Sequence, residues 1–247
     1  MNHPNGEISG KTVMVSGATG GIGRELIRAF VEHDAAEVIA VSRTPGEWSD
    51  ARVRGYSLDV TKEPEVAALA RELSERVDIL VYCSGANANS RIFQSDAVEG
   101  ARTEMDVNYF GLLNIVRAFA PAMQQRRHGT IVNILSMVSF VNIPRMATYS
   151  ASKAAAWSLT QAIRAELMPY GIHVCAAFPS ATETHMTAHL NIPKLKPSMV
   201  ADRVVQAIRD GVEDAYEGLM HKEVYEGLRT DPKSVEREMA AKLNHTN

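Results

Sequence analysis

Only two cysteines, Cys83 and Cys175, occur in the 247 residues, and both sit inside apolar, strand-like runs. That excludes a disulfide framework; thiols so placed are expected to be small buried residues in a reducing compartment. No apolar run approaches the length that spans a bilayer. No basic block stands out and the net charge is −3, which argues against nucleic acid as a partner. The polar opening residues 1–6 are followed by no apolar h-region, so no secretory leader is expected and a cytoplasmic location fits. There is no internal repeat, low-complexity tract or long linker, and one domain is expected over 1–247.

What is present is an alternation. Apolar runs of strand length fall at 12–15, 38–41, 53–58, 78–83, 130–135 and 172–178. Helical periodicity fills 22–33, 62–75, about 101–127, about 148–169 and 198–212. Strands apolar on both faces and separated by helices predict a doubly wound parallel sheet with helices on each side. The C-terminal part is less regular, with an amphipathic helix expected at 232–243 after the turn at Asp231-Pro232.

The turn after the first strand reads Ser16-Gly17-Ala18-Thr19-Gly20-Gly21-Ile22-Gly23. Glycines here permit a tight turn, close approach of backbone to a pyrophosphate, and packing of the next helix on its strand. The helix N-terminus adds free N–H groups and a positive dipole end. Between the first strand and helix of a βαβ unit, this predicts dinucleotide binding. An NAD-selective site carries an acid at the end of the second strand, for the ribose hydroxyls. Ser42-Arg43 stands there instead. A guanidinium can fork onto a 2′-phosphate and stack on adenine, so NADP(H) is expected; the alternative is a solvated loop arginine. Asp59 ends the third strand, where a place near the adenine suits it.

Tyr149 and Lys153 are four apart, and Ser136 lies thirteen residues before the tyrosine. On a helix the phenol and ammonium share one face. A cation close to a phenol favours the phenolate, and the expectation is a lowered Tyr149 pKa and a general acid or base near neutrality. His185 and His189 are also four apart, but no third ligand is evident and no metal site is expected. The segment 137–146 is rich in Met, Val, Ile and Phe, so a largely apolar substrate cleft is expected.

From Lys11 to Thr184 the chain resembles the short-chain dehydrogenase/reductases of the short, single-domain type. Ser16-Gly17-x-x-x-Gly21-x-Gly23 is similar to the family's Thr-Gly-x-x-x-Gly-x-Gly, Leu58-Asp59-Val60 to its adenine-side motif, and Val107-Asn108 to its catalytic asparagine. Ser136, Tyr149 and Lys153 match its serine, tyrosine and lysine; Gly85, Pro179 and Thr184 match further cofactor-side positions. The resemblance implies hydride transfer between a nicotinamide cofactor and a carbonyl or carbinol carbon. It implies Tyr149 as proton donor, Ser136 orienting the substrate oxygen, and Lys153 holding ribose hydroxyls. It further implies that Asn108 holds a water and Thr184 the carboxamide. It implies a homo-oligomer, a dimer or tetramer, with the two long helices paired across a two-fold axis. Departures are Tyr82-Cys83-Ser84-Gly85 for Asn-Asn-Ala-Gly, Ser180 for glycine after Pro179, Gly20 where many NADP-preferring members carry a basic residue, and a different C-terminus. A lid at about 182–200 and a C-terminal extension at 221–247 are expected. The competing readings are a sugar-nucleotide epimerase, for whose substrate domain the chain has no room, and a catalytically silent nicotinamide-binding sensor or scaffold.

Overall fold

Apolar runs on both faces of every central strand demand cover on both sides. The computed structural model, which describes residues 6–241 and the backbone alone at 219–223, has that architecture. Seven strands, β1 (Thr12–Ser16), β2 (Glu37–Ser42), β3 (Val53–Ser57), β4 (Ile79–Tyr82), β5 (Thr130–Ile134), β6 (His173–Pro179) and β7 (Asp214–Glu217), form one parallel sheet in the order β3-β2-β1-β4-β5-β6-β7. The connecting helices are α1 (Gly21–Glu32), α2 (Glu63–Leu73), α3 (Ala97–Met105), α4 (Leu112–Arg126), α5 (Ala147–Leu167) and α6 (Pro197–Asp210). A pair, α7 (Leu219–Thr230) and α8 (Pro232–Ala241), ends the described chain. Alternation along each strand splits the core. Met14 joins the layer under α2, α4 and α5, whereas Val13 and Val15 join the layer under α1 and α6.

The six expected strands are present and the doubly wound sheet is as read from the sequence. Three features differ. Strand β7 was not foreseen, because only Ala215 of its four residues is fully buried and no apolar run marks it. The long helix expected from 101 starts at Ala97 and changes hydrogen-bond pattern at Asp106–Gly111, which is a π-helix. Helix α7 was unforeseen, and of the helix expected at 232–243 the last two positions lie outside the described residues.

After β3 the chain crosses β1 to reach β4, and this reversal opens a crevice above the carboxyl ends of β1 and β4, where ligands bind in such sheets. The two strand ends touch there. Gly17 has φ +69°, and a Cβ on it would lie 2.6 Å from the Cys83 carbonyl oxygen, so only glycine fits. The buried Ser16 hydroxyl accepts from the backbone N–H groups of Cys83 (3.1 Å) and Ser84 (3.3 Å), stitching the ends together.

Beyond β6, aromatic packing fixes the C-terminal pair. The fully buried Phe178 ring lies 4.6 Å from Phe140, 5.0 Å from Trp157 and 5.3 Å from Tyr216, and Tyr225 of α7 lies 5.2 Å from Tyr216. Truncating the central ring leaves a cavity as well as losing its transfer free energy. Phe178→Ala is therefore expected to destabilise the protein by about 3–5 kcal/mol. A lowered urea midpoint at unchanged slope checks this; a loss below about 1 kcal/mol would mean that the cluster relaxes around the gap.

Candidate active site

The site begins with the π-helical turn. Within this turn the Val107 carbonyl accepts from the buried Tyr82 hydroxyl. A Cβ on Gly111 would stand 2.5 Å from that hydroxyl, so the glycine and the tyrosine require each other. This accounts for the first departure in Tyr82-Cys83-Ser84-Gly85: the phenol spans from β4 to the helix. The turn also aims Asn108 inward. Its Nδ2 donates to the Ala86 carbonyl (2.9 Å) and the Ser152 hydroxyl (2.8 Å), and its Oδ1 accepts from the Ala86 N–H (2.9 Å). Ser152 in turn donates to the Tyr149 carbonyl at 2.8 Å. Both amide donors of Asn108 are thus engaged, and the expected water contact falls to the remaining lone pair of Oδ1. A Cβ at Gly85 would lie 3.6 Å from that oxygen and 3.9 Å from the Lys153 ammonium. Glycine there keeps the space between the two clear.

Helix α5 carries Tyr149 and Lys153 on one face, as the spacing requires. The Lys153 Nζ lies 5.8 Å from the Tyr149 ring centroid and donates to the Ile134 carbonyl at 3.0 Å. Tyr149 is hydrogen-bonded to Ser136, which caps the short 3-10 turn Met137–Ser139 after β5. Ser136, Tyr149, Lys153 and Asn108 therefore meet at one place, above the carboxyl ends of β4 and β5.

The electrostatics reverse one expectation. Burial pushes the Tyr149 phenol up, the Glu104 carboxylate pushes it further, the Ser136 hydrogen bond pulls it down and Cys83 adds a small upward push. Burial also lowers Lys153 to about 8. The cation expected to draw the phenol down is weakened by the same desolvation that raises the phenol. Glu104, fully buried on α3, was not singled out from the sequence, although its place four residues before Asn108 was a usable signal.

The residues expected on the cofactor side lie at and just beyond the carboxyl ends of the strands. Helix α1 starts at Gly21, and a Cβ on Gly23 would meet the Gly17 carbonyl at 2.2 Å, so the helix sits directly on the turn, with Ile22 packed against the core between them. Thr19 faces Gly46, whose Cβ would come within 3.1 Å of its methyl group. Arg43 is exposed just beyond β2; the Ser42 hydroxyl donates to the Thr44 carbonyl at 2.8 Å and is committed within the loop. Burial works against ionisation of Asp59, but hydrogen bonds from the Thr61 N–H and hydroxyl, with Lys62 and Arg43 nearby, hold its carboxyl below the ordinary value. The Val60 carbonyl accepts from Asn114 at 3.1 Å. Thr184 reaches across the crevice, its methyl 2.8 Å from where a Gly21 Cβ would be. Ser180, which follows Pro179 where the family has glycine, is matched across the strand ends: a Cβ on Gly218 (φ +117°) would lie 2.1 Å from its hydroxyl.

The family model for short chain dehydrogenases matches residues 11–194. The chain belongs to this family. A short chain dehydrogenase from Burkholderia cenocepacia J2315, crystallised in complex with NADP, shares 35% identity over 94% of this chain and 98% of its own, with a TM-score of 0.89. An uncharacterized oxidoreductase of Staphylococcus saprophyticus is 29% identical over 82% of this chain and 93% of its length. The 3-ketodihydrosphingosine reductase of Bacteroides thetaiotaomicron is 31% identical over 74% of this chain and 68% of its own. The fold, the crevice and this membership make the protein an oxidoreductase.

Lys153 is 5% exposed, and no carboxylate pairs with it among the described residues. Its depressed pKa means that the folded state binds fewer protons than the unfolded chain between pH about 8 and 10.5. The penalty is complete below that window and disappears above it. Lys153→Met is thus expected to raise the melting temperature of the cofactor-free protein at neutral pH, less about 1 kcal/mol for the Ile134 carbonyl left without its donor. The gain should shrink as pH rises through the window, while turnover and cofactor affinity both fall. A variant that melts lower at neutral pH would show that the ammonium is stabilised where it sits.

Proposed function

We propose that the protein is an NADP(H)-dependent oxidoreductase that interconverts a ketone or aldehyde and an alcohol on a small, largely hydrophobic substrate. The observation that carries this reading is the meeting of Tyr149, Ser136 and Lys153 in one desolvated place at the crevice. The residues fit the cofactor: a glycine turn with no room for side chains, helix α1 opening on it, and the exposed Arg43 beside it. The bound nicotinamide supplies or accepts the hydride. In reduction the Tyr149 hydroxyl gives its proton to the substrate oxygen, and Ser136 hydrogen-bonds the same oxygen. A phenol held up by burial suits that task, because it arrives protonated. Lys153 would hold ribose hydroxyls, and its ammonium stands next in line to replace the proton. Gly17, Gly21 and Gly23, with Ser16, Thr19 and Ile22, would form the pyrophosphate cradle, Asp59, Val60 and Gly85 the adenosine side, and Pro179 and Thr184 the nicotinamide side. The relative that reduces a 3-keto compound supports a carbonyl substrate. The segment 182–200 serves as the lid; the Glu183 N–H donates to the Leu195 carbonyl and the Leu195 N–H to Ala181, both at 2.8 Å, which closes its base. We assign the protein to the cytoplasm on its two free thiols.

A panel of aromatic and aliphatic ketones with NADPH tests the reading. Tyr149→Phe should lower turnover by at least about 10²-fold while cofactor affinity is kept. Full activity in that variant would remove the tyrosine from the chemistry, and cofactor binding without turnover of any ketone would favour the silent sensor.

Cofactor choice rests on Arg43, since the Ser42 hydroxyl is already engaged. A forked contact to a 2′-phosphate contributes about 1.5–3 kcal/mol, or about 10- to 150-fold in favour of NADP(H), and without a basic side chain at Gly20 the lower half is expected. Arg43→Asp with Ser42→Ala should reverse the preference in kcat/KM. An NAD(H) preference in the parent would mean that Arg43 only faces solvent.

We also propose a homo-oligomer, paired through the outward faces of the π-turn, α4 and α5. Phe110 is 47% exposed there, and Leu113, Ala151 and Ala154 lie at or near the surface of the same helices. Light scattering at micromolar concentration should give at least a dimer's mass; a monomer's would overturn it.

A further inference from the structure

Helix α1 carries two arginines one turn apart, and they are engaged differently. Arg28 pairs with Glu25 and Glu32 of its own helix. Arg24 is exposed and no carboxylate pairs with it among the described residues, since the adjacent Glu25 is taken by Arg28. Its side chain is nevertheless fixed. A helical side chain leans over the turn that precedes it. Arg24, whose N–H donates to the Gly20 carbonyl at 2.9 Å, therefore leans back over the glycine turn, where Gly20 puts no side chain in the way. There its Nε donates to the Thr19 carbonyl at 3.3 Å, and its Cζ lies 5.3 Å from the centre of the Trp48 ring.

The tryptophan is held in its turn. Its ring packs on the apolar layer under α1 and α6; a Cβ on Gly46 would stand 2.9 Å from that ring, and one on Gly55 3.4 Å from its Nε1. The loop 43–48 after β2 thus lies along the glycine turn, with Arg43 at its start and Trp48 at its end. The Ala18 N–H ties the turn to the Val41 carbonyl at 3.1 Å, two residues before Arg43. Two guanidiniums therefore belong to one turn, and neither is ion-paired among the described residues. Stacking on an indole covers the flat side of a guanidinium and leaves its edge, where the N–H donors lie, open. With Nε committed to Thr19, the two terminal nitrogens of Arg24 remain without a partner among the described residues. A cation so fixed has given up rotamer freedom before any anion arrives, which lowers the cost of a forked contact.

We propose that Arg24 is a specificity-determining residue for the cofactor's 2′-phosphate, a second guanidinium that acts beside Arg43 and is aimed by Trp48. Its place favours this phosphate over the pyrophosphate. Arg24 leans to the side of the turn along which the loop after β2 lies, and the end of β2 is where the 2′ position of the ribose is read. A phosphate of nearly two negative charges answers two cations, and each contact to it is charge-assisted. Arg24 lifts the preference above the lower half of the range expected from Arg43 alone. This inference rests on the NADP(H) preference proposed above.

Dissociation constants of NADPH and NADH, measured by calorimetry without any substrate, test it. Arg24→Met keeps the helix and the apolar stem and removes the charge. Its Kd for NADPH should rise about tenfold, the low end for a charge-assisted contact, while its Kd for NADH changes by less than about twofold. Arg24→Lys keeps the charge but cannot stack and fork together, and should lose about threefold for NADPH alone. The ratio for adenosine 2′,5′-bisphosphate against adenosine 5′-monophosphate has to move with that for the whole cofactors. Salt should erode the NADPH preference more steeply in the parent than in Arg24→Met. Equal losses for NADPH and NADH would put Arg24 on the pyrophosphate or in support of the loop and overturn the proposal, as would unchanged constants for both. A parent that binds NADPH no more tightly than NADH would overturn the cofactor preference and this inference with it, so the parent measurement tells the two failures apart.

Discussion

An ammonium buried without a carboxylate partner among the described residues is the constraint around which this protein is arranged. Lys153 donates to the Ile134 carbonyl at 3.0 Å, and burial draws its pKa to about 8. Holding such a group requires a rigid frame, since any relaxation would let water reach it. The frame is visible in the parts that touch it. Ile134 ends β5, Gly85 keeps backbone rather than side chain beside the Nζ, and Asn108 ties loop 86–88 to α5 through Ser152. The π-turn that aims Asn108 depends on Tyr82, which depends on Gly111 having no side chain. Desolvation at this end of the sheet is offset by the two apolar layers beneath it.

What the sequence made legible follows from what backbone geometry dictates. Gly17 and Gly23 sit where any Cβ would strike a carbonyl, so a glycine turn after an apolar strand identifies the crevice before any coordinates. The same holds for Tyr149 and Lys153, whose spacing alone sets their shared face. Pairwise adaptations were not legible. Tyr82 with Gly111, and Ser180 with Gly218, each look like a departure when read singly, and become sense only when packing brings the two members together. Charge was the least legible property. A lysine four residues from a tyrosine argues for a lowered phenol pKa in water; in a desolvated site shared with Glu104 the direction reverses.

The apolar segment after Ser136 illustrates how composition can mislead about a cleft. Met137 and Val141, expected as substrate walls, are buried against Val224, Val235 and Met239 of α7 and α8, with Ile143 packed on the same cluster. Phe140 enters the aromatic cluster around Phe178 instead. The C-terminal pair therefore takes the apolar surface that the sequence offered to a substrate, and the part of the segment left to shape the cleft is smaller than its composition implies.

That arrangement separates two tasks along the chain. Residues 11–179 build six of the seven strands, the crevice and the place where Ser136, Tyr149 and Lys153 meet, and β7 with α6 completes the sheet and its cover. After Pro179, backbone bonds among Ala181, Glu183 and Leu195 close the base of the segment proposed as a lid, and the Ser180–Gly218 contact ties the start of that segment to the strand that feeds α7. That segment and the C-terminal pair are thereby joined close to Thr184, which packs on Gly21 at the start of α1. The departure at Ser180 therefore has to be read together with the unusual C-terminus rather than apart from it, because the hydroxyl occupies the space that a side chain at Gly218 would need.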